Sequence, residues 1–143
     1  MATKSMDEVV WARHEALLKL MPRHLTKRQI RVMGKRLASR RSSFGLSQRD
    51  LAFPGCSYTY ISRIEKGERE PSLRNLIMLC FLLRTSPMWV LWGFGDEDTE
   101  DHTSVFLVSD PHEPKALAAL ATKRNSLHQA ARRRARLERE LHG

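Results

Sequence analysis

The sequence predicts an all-α protein: a compact domain of five short helices, preceded by an N-terminal helix and followed by an acidic linker and a basic C-terminal helix. Three observations carry this. Helix-start and helix-stop residues recur at short intervals from Thr26 to Gly93, leaving turns too short for strands. Apolar residues between them recur at helical spacing. Lys115 to Leu141 contains neither Gly nor Pro and is rich in Ala, Leu and Arg, which favours helix.

Each element follows in order. Ser5 and Glu8 have the form of a capping box, and Val9, Val10, Leu17, Leu18 and Met21 recur until Pro22, predicting an accessory helix within residues 1–25. Thr26 with Gln29 repeats the cap signal, and Ile30, Met33 and Leu37 mark one face of a helix ending near Ser42 or Ser43. Ser47 caps the next helix with Asp50 three residues on, and Pro54-Gly55 breaks it. Ser57 starts a helix that stops at Gly67. Pro71-Ser72 opens one carrying Leu73, Leu76, Ile77, Cys80 and Leu83, and Ser86-Pro87 opens a short last one toward Gly93. These five make a domain over residues 26–94.

Residues 95–113 read as an acidic linker containing the apolar run Val105-Phe106-Leu107-Val108, either a lone strand or an extended segment packed on the domain. Residues 114–143 form the basic helix. Leu120, Leu127 and Leu141 fall on seven-residue multiples, but Arg134 occupies the intervening position, which argues against a sustained coiled-coil seam.

At 143 residues and 41% hydrophobic, the chain has room for one small core with accessory elements. No run approaches the roughly 18 apolar residues of a membrane span, and Asp7 and Glu8 stand where a secretory signal would be basic. A cytoplasmic protein with no membrane partner is expected. Cys56 and Cys80 form no Cys-x-x-Cys pair and read as small buried hydrophobes rather than a disulfide or zinc site. The six histidines never cluster, and no nucleophile motif is present, so no catalytic residue, metal site or cofactor is expected. Trp11, Trp89, Trp92 and Phe94 read as core or core lid.

The net charge of +9 is unevenly spread. Residues 27–74 hold twelve Lys or Arg against four acids, residues 75–110 one against six, and residues 111–143 eight against three. Two basic blocks flanking an acidic waist attract a polyanion to particular faces, a property that DNA, RNA or anionic lipid would each satisfy.

The segments Gly34-Lys35-Arg36-Leu37-Ala38-Ser39-Arg40-Arg41, Gly45-Leu46-Ser47-Gln48-Arg49-Asp50-Leu51-Ala52 and Ile61-Ser62-Arg63-Ile64-Glu65-Lys66-Gly67-Glu68-Arg69-Glu70-Pro71-Ser72 narrow that choice. Together they resemble the lambda-repressor and Cro type of helix-turn-helix family over about residues 30–93. The resemblance implies double-stranded DNA as partner. It further implies that Gln48 touches phosphate and base edge, that Ala52 is the small residue where the motif helices cross, and that Ile61 and Ile64 are buried. Arg41 and Glu65 resemble the family's internal ion pair, and Arg69 its phosphate-facing residue. One departure is visible: only Phe53 and Pro54 separate Ala52 from Gly55, one residue fewer than usual, and Pro54 is expected to end the helix at Phe53.

Helical geometry gives a parallel reading. A helix from Ser57 to Lys66 that buries Ile61 and Ile64 turns Tyr58, Thr59, Ser62, Arg63 and Lys66 outward. Such a helix fits the major groove, where hydroxyls take either hydrogen-bonding role and a guanidinium pairs with guanine O6 and N7. Arg63 is the leading base-reading candidate, Tyr58 and Thr59 suit a thymine methyl or a phosphate, and Gln48, Arg49, Lys66 and Arg69 suit phosphates. In the C-terminal helix, Arg132, Arg133, Arg134, Arg136 and Arg139 are candidate supplementary phosphate contacts. There Ala116, Leu117, Leu120, Leu127, Ala131 and Leu141 offer a stripe for docking, interrupted by Arg124 and Arg134.

The expected function is a sequence-specific transcriptional regulator acting as a repressor by promoter or operator occupancy. The alternative is an antitoxin or other interaction module whose C-terminal region binds a protein partner; a phage-type immunity repressor and a homodimer both stay open. An enzyme would need a constellation the sequence does not contain.

Overall fold

The computed structural model describes residues 8, 9, 12, 13, 15, 16, 19, 24–100, 102 and 114–142. Its helices are α1 (Lys27–Ser43), α2 (Gln48–Leu51), α3 (Tyr58–Glu65), α4 (Leu73–Leu82), α5 (Pro87–Trp92) and α6 (Pro114–His142). There is no strand among the described residues, so the domain is all-α as its punctuation predicts. The described residues before His24 are helical and exposed, with Glu15 paired to Lys19 at 3.3 Å. The apolar positions Val10, Leu17, Leu18 and Met21, together with Trp11 and the run Val105 to Val108, lie outside the described residues.

Each of α1 to α5 starts where a side chain replaces missing backbone partners. Thr26 and Gln29 form a reciprocal capping box, as do Ser47 and Asp50, while Ser57, Ser72 and Ser86 accept from backbone amides of their own first turns. Gly67 and Gly93 adopt the left-handed backbone just past α3 and α5, which lets the chain turn away.

The core is centred on α4, whose residues Asn75 through Leu82 are all buried. α1 crosses α3 on one side and packs against α5, and α6 lies on α4. Gly34 allows the α1–α3 crossing. A Cβ there would stand 2.2 Å from the carbonyl oxygen of Ile64 and 2.9 Å from that of Glu65, so only a bare Cα fits. Cys56 and Cys80 are unpaired and buried, as their apolar surroundings suggest. Burial pushes the Cys56 thiol up to about 12, leaving it protonated. Trp89 and Trp92 pack partly buried against the core. Phe94 does not: it follows the left-handed Gly93, which turns the chain outward and leaves it 67% exposed.

The C-terminal end of α4 presents unpaired carbonyls, and two distant elements answer them. From α1, the buried Arg40 donates to the carbonyls of Leu83 (3.0 Å) and Arg84 (3.1 Å). From α6, His128 Nε2 lies 2.7 Å from the carbonyl of Leu82. That nitrogen must carry the proton in order to donate. Burial holds the imidazole below its ordinary range, which keeps it neutral. Phe44 ties the same corner together, with its ring edge-on to His128 at 4.6 Å and under the Arg40 guanidinium at 4.6 Å.

The acidic segment folds back instead of hanging free. Asp98 and Glu97 pair with Arg40, Glu100 pairs with Arg84, and the amide of Thr99 donates to the carbonyl of Arg84 at 3.1 Å. Glu100 is held below the usual carboxylate range chiefly by its hydrogen bond from Arg84.

α6 docks through Leu117, Leu120, Ala121, Leu127, His128 and Ala131, close to the expected stripe. Ala116 and Leu141 are corrections, since both are exposed. The expected interruption at Arg124 lies on the docked side: its guanidinium covers the Phe81 ring at 4.9 Å and donates to His102 Nε2 at 2.8 Å. At 29 residues and about 1.5 Å per residue, α6 runs for about 43 Å. Residues 132–142 are all exposed.

Candidate nucleic-acid interface

α3 is held from behind by Ile61 and Ile64, 2% and 0% exposed, whose burial is worth about 1.5–3 kcal/mol each. Its outer face carries Tyr58, Thr59, Arg63 and Lys66 exposed and Ser62 half-buried. Arg63 and Lys66 make no side-chain hydrogen bond or ion pair among the described residues, so both are available to a ligand. The helix proper begins at Tyr58 because the Ser57 hydroxyl is used as its cap, accepting from the Tyr60 amide at 3.2 Å. Ser57 is thus a cap before it is a contact residue.

The motif turn explains the short spacing. Phe53 and Cys56 exchange both backbone hydrogen bonds, at 3.0 and 2.8 Å, across Pro54 and Gly55. Gly55 has φ +88°. Proline followed by a positive-φ glycine is the chemistry of a type II turn. The Asn75 side chain then fastens the turn to α4 by donating to the Gly55 carbonyl at 3.1 Å. Helix α2 ends at Leu51, not at Phe53 as Pro54 alone suggests. The Phe53 amide is engaged by Cys56 and cannot also close a helical turn, and Ala52 is already extended with ψ 140°. Ala52 therefore sits at the end of α2, half-buried.

The angle between α1 and α3 is fixed by a three-residue cluster. Arg41 donates to Glu65 from Nε at 2.6 Å and from Nη2 at 3.0 Å, and its Nη1 reaches the Leu46 carbonyl at 2.7 Å. Gln48 Nε2 donates to the same carboxylate at 2.7 Å. The Glu65 side chain is 8% exposed and that of Arg41 17%. Donating to the Glu65 carboxylate holds the Arg41 guanidinium more firmly protonated than usual. The expected ion pair is present, and Gln48 joins it through one end of its amide.

Two cation–aromatic stacks arrange the remaining candidates. Arg49 lies over Tyr58 at 4.2 Å, joining the first turns of α2 and α3. Arg69 lies over Tyr60 at 4.9 Å, and the Tyr60 hydroxyl accepts from the Ser72 amide at 3.1 Å. Ser57, Tyr60, Arg69, Ser72 and Asn75 thereby line one shallow concavity beside the motif turn. Sequence reasoning missed Arg74, which is exposed on the first turn of α4 beside Gly55. It counted only as part of the basic block, because nothing in local spacing shows that α4 starts next to the motif turn.

Of the C-terminal arginines, Arg134 donates to the Gly45 carbonyl in the turn between α1 and α2. Arg136 pairs with Glu140 at 3.0 Å, and Arg132, Arg133 and Arg139 are exposed.

Residues 37–90 match the helix-turn-helix family. The chain is similar to the HTH-type transcriptional regulator DicA of Escherichia coli (strain K12), with 39% identity over 69 residues. That similarity covers 48% of this chain and 50% of the relative, so the chain spans about half the length of the curated relative it matches. No solved structure gives a significant match. A capped α2, a tight turn and an outward-facing α3 locked by Arg41 and Glu65 fall within the matched segment, and residues 37–90 form a helix-turn-helix domain similar to the lambda-repressor and Cro type.

Proposed function

We propose that this protein is a sequence-specific double-stranded DNA-binding transcriptional regulator that represses by occupying a promoter or operator. The observation that carries the reading is the outer face of α3, where Arg63 stands exposed between Thr59 and Lys66 on a helix fixed from behind. The similarity to DicA, an HTH-type transcriptional regulator, supports it. α3 enters the major groove, with Arg63 reading base edges, Tyr58, Thr59 and Ser62 flanking it, and Arg49, Lys66 and Arg69 on phosphates. The protein acts in the cytoplasm; no described helix is long and apolar enough to cross a membrane.

Selection of bound duplexes from a random library tests the reading directly. A defined motif should emerge, and Arg63→Ala should weaken the selected site by about 1–3 kcal/mol more than it weakens random DNA. Equal loss on both would move Arg63 to the backbone. Failure to enrich any sequence would remove specific regulation. A second reading, a protein-interaction module of antitoxin type, is favoured by Leu137 and Leu141, which lie one helical turn apart at 51% and 80% exposure. A stoichiometric partner whose binding is lost on Leu137→Glu, with no selected duplex, would establish it.

A further inference from the structure

We propose that the distal third of α6 extends the DNA footprint, its arginines lying along the phosphates that flank the sequence read by α3. The proposal rests on the DNA-binding reading above.

The register of α6 on the domain leads to it. Lys123 donates to the carbonyl of Ala52, at the end of α2, and Arg134 donates to that of Gly45, just before α2 begins. α6 therefore runs antiparallel to α2, and everything after Arg134 projects past the start of α2. The start of α2 is joined in turn to the start of α3 through the Arg49–Tyr58 stack. A duplex seated on α3 thus has Arg49 at its flank and the end of α6 beyond that.

The charges agree with this placement. Arg40 and Arg84, at the end of α4, are answered by Glu97, Asp98 and Glu100, and Arg41 by Glu65. Arg132, Arg133 and Arg139 have no acid partner among the described residues, and Arg136 has only the exposed Glu140, with Glu138 nearby in the chain. Residues 132–142 hold five arginines against those two glutamates. Arg132, Arg136 and Arg139 fall at spacing four and three on one helical stripe. The stripe rises about 10 Å, close to three base-pair steps of about 3.4 Å. Arg134 is committed to Gly45 and acts as the positioning residue.

The test uses the full chain with R132Q/R133Q/R136Q/R139Q, all on exposed positions and retaining helix-favouring side chains. Affinity is measured against salt on a selected duplex with long unrelated flanks, on the same duplex trimmed to the selected sequence, and on a random-sequence duplex. Three to four lost phosphate contacts should make the slope of log affinity on log salt shallower by about 2.7–3.6. A fourfold rise in salt then costs the unaltered chain about 40- to 150-fold more affinity than it costs the variant. Trimming the flanks should weaken the unaltered chain and leave the variant unchanged, with the preference for selected over random sequence the same in both. An unchanged slope on the flanked duplex overturns the proposal while leaving the α3 reading intact, as does loss of a dimer in sedimentation with no change in slope. Absence of binding to every duplex overturns both.

Discussion

Glu65→Ala should destabilise this domain far more than its single lost carboxylate suggests. The carboxylate accepts three hydrogen bonds, two from Arg41 at 2.6 and 3.0 Å and one from Gln48 at 2.7 Å, at a side chain only 8% exposed. Removing it leaves the Arg41 guanidinium with the Leu46 carbonyl as its remaining acceptor and strands the Gln48 amide. Breaking a buried pair from one side costs about 3–5 kcal/mol. Arg41 keeps one acceptor and some access to water, so the lower end applies, about 3 kcal/mol. For a chain of this length that lowers Tm by about 10 °C. Glu68→Ala, on an exposed position just past α3, is the control and should stay within about 0.5 kcal/mol of the parent. Circular dichroism melts and urea titrations of both variants measure the difference. The double substitution R41M/E65L should be less destabilising than the sum of its single changes, by about 2 kcal/mol, because it removes the stranded charge as well as the pair. Coincident melts for Glu65→Ala and Glu68→Ala would refute the idea that this cluster sets the angle between α1 and α3.

Other outcomes follow from single contacts. Gly34→Ala places a methyl 2.2 Å from the Ile64 carbonyl and should cost at least about 3 kcal/mol, read by urea titration. Gly55→Ala, at φ +88°, should cost about 1–2 kcal/mol in the same measurement without abolishing folding, since a Cβ there meets only Arg74 at 3.6 Å. His128 and His102 are both held below their ordinary range, chiefly by burial, so the unfolded chain binds more protons than the folded one in the interval beneath about pH 6.5. Stability should therefore be full above that pH and fall as pH drops toward the folded values. His128→Phe should flatten the fall, and an unflattened melt series would assign it to other groups.

Helix starts were legible in the sequence because each is a local bond: Thr26, Ser47, Ser57, Ser72 and Ser86 all cap the helices they announce. The outward face of α3 was legible for a similar reason, since Ile61 and Ile64 fix its orientation within a single turn. Partnerships across the fold were not. Arg40 looks like any base in a basic helix, yet it is 5% exposed and bonded to carbonyls more than forty residues away. Arg124 reads as a break in an apolar stripe and His128 as one of six scattered histidines, whereas the ring of Phe81 and the carbonyl of Leu82 make both suitable occupants of the docked face. The acidic segment reads as solvent-bound until the arginines at the end of α4 come within reach.

The docking of His128 on Leu82 has a practical consequence for dissecting the molecule. The helix-turn-helix match stops at residue 90, which invites a fragment ending near Phe94. Such a cut would uncover the α4 surface now sealed by Leu117, Leu120 and Ala131, and would leave the Leu82 carbonyl facing solvent. It would also remove the acids that neutralise Arg40, stranding a guanidinium in the interior. The smallest autonomous unit therefore extends through α6 at least to Ala131, so fragments cut at the family boundary should be prone to aggregation and protease attack even with every motif residue in place.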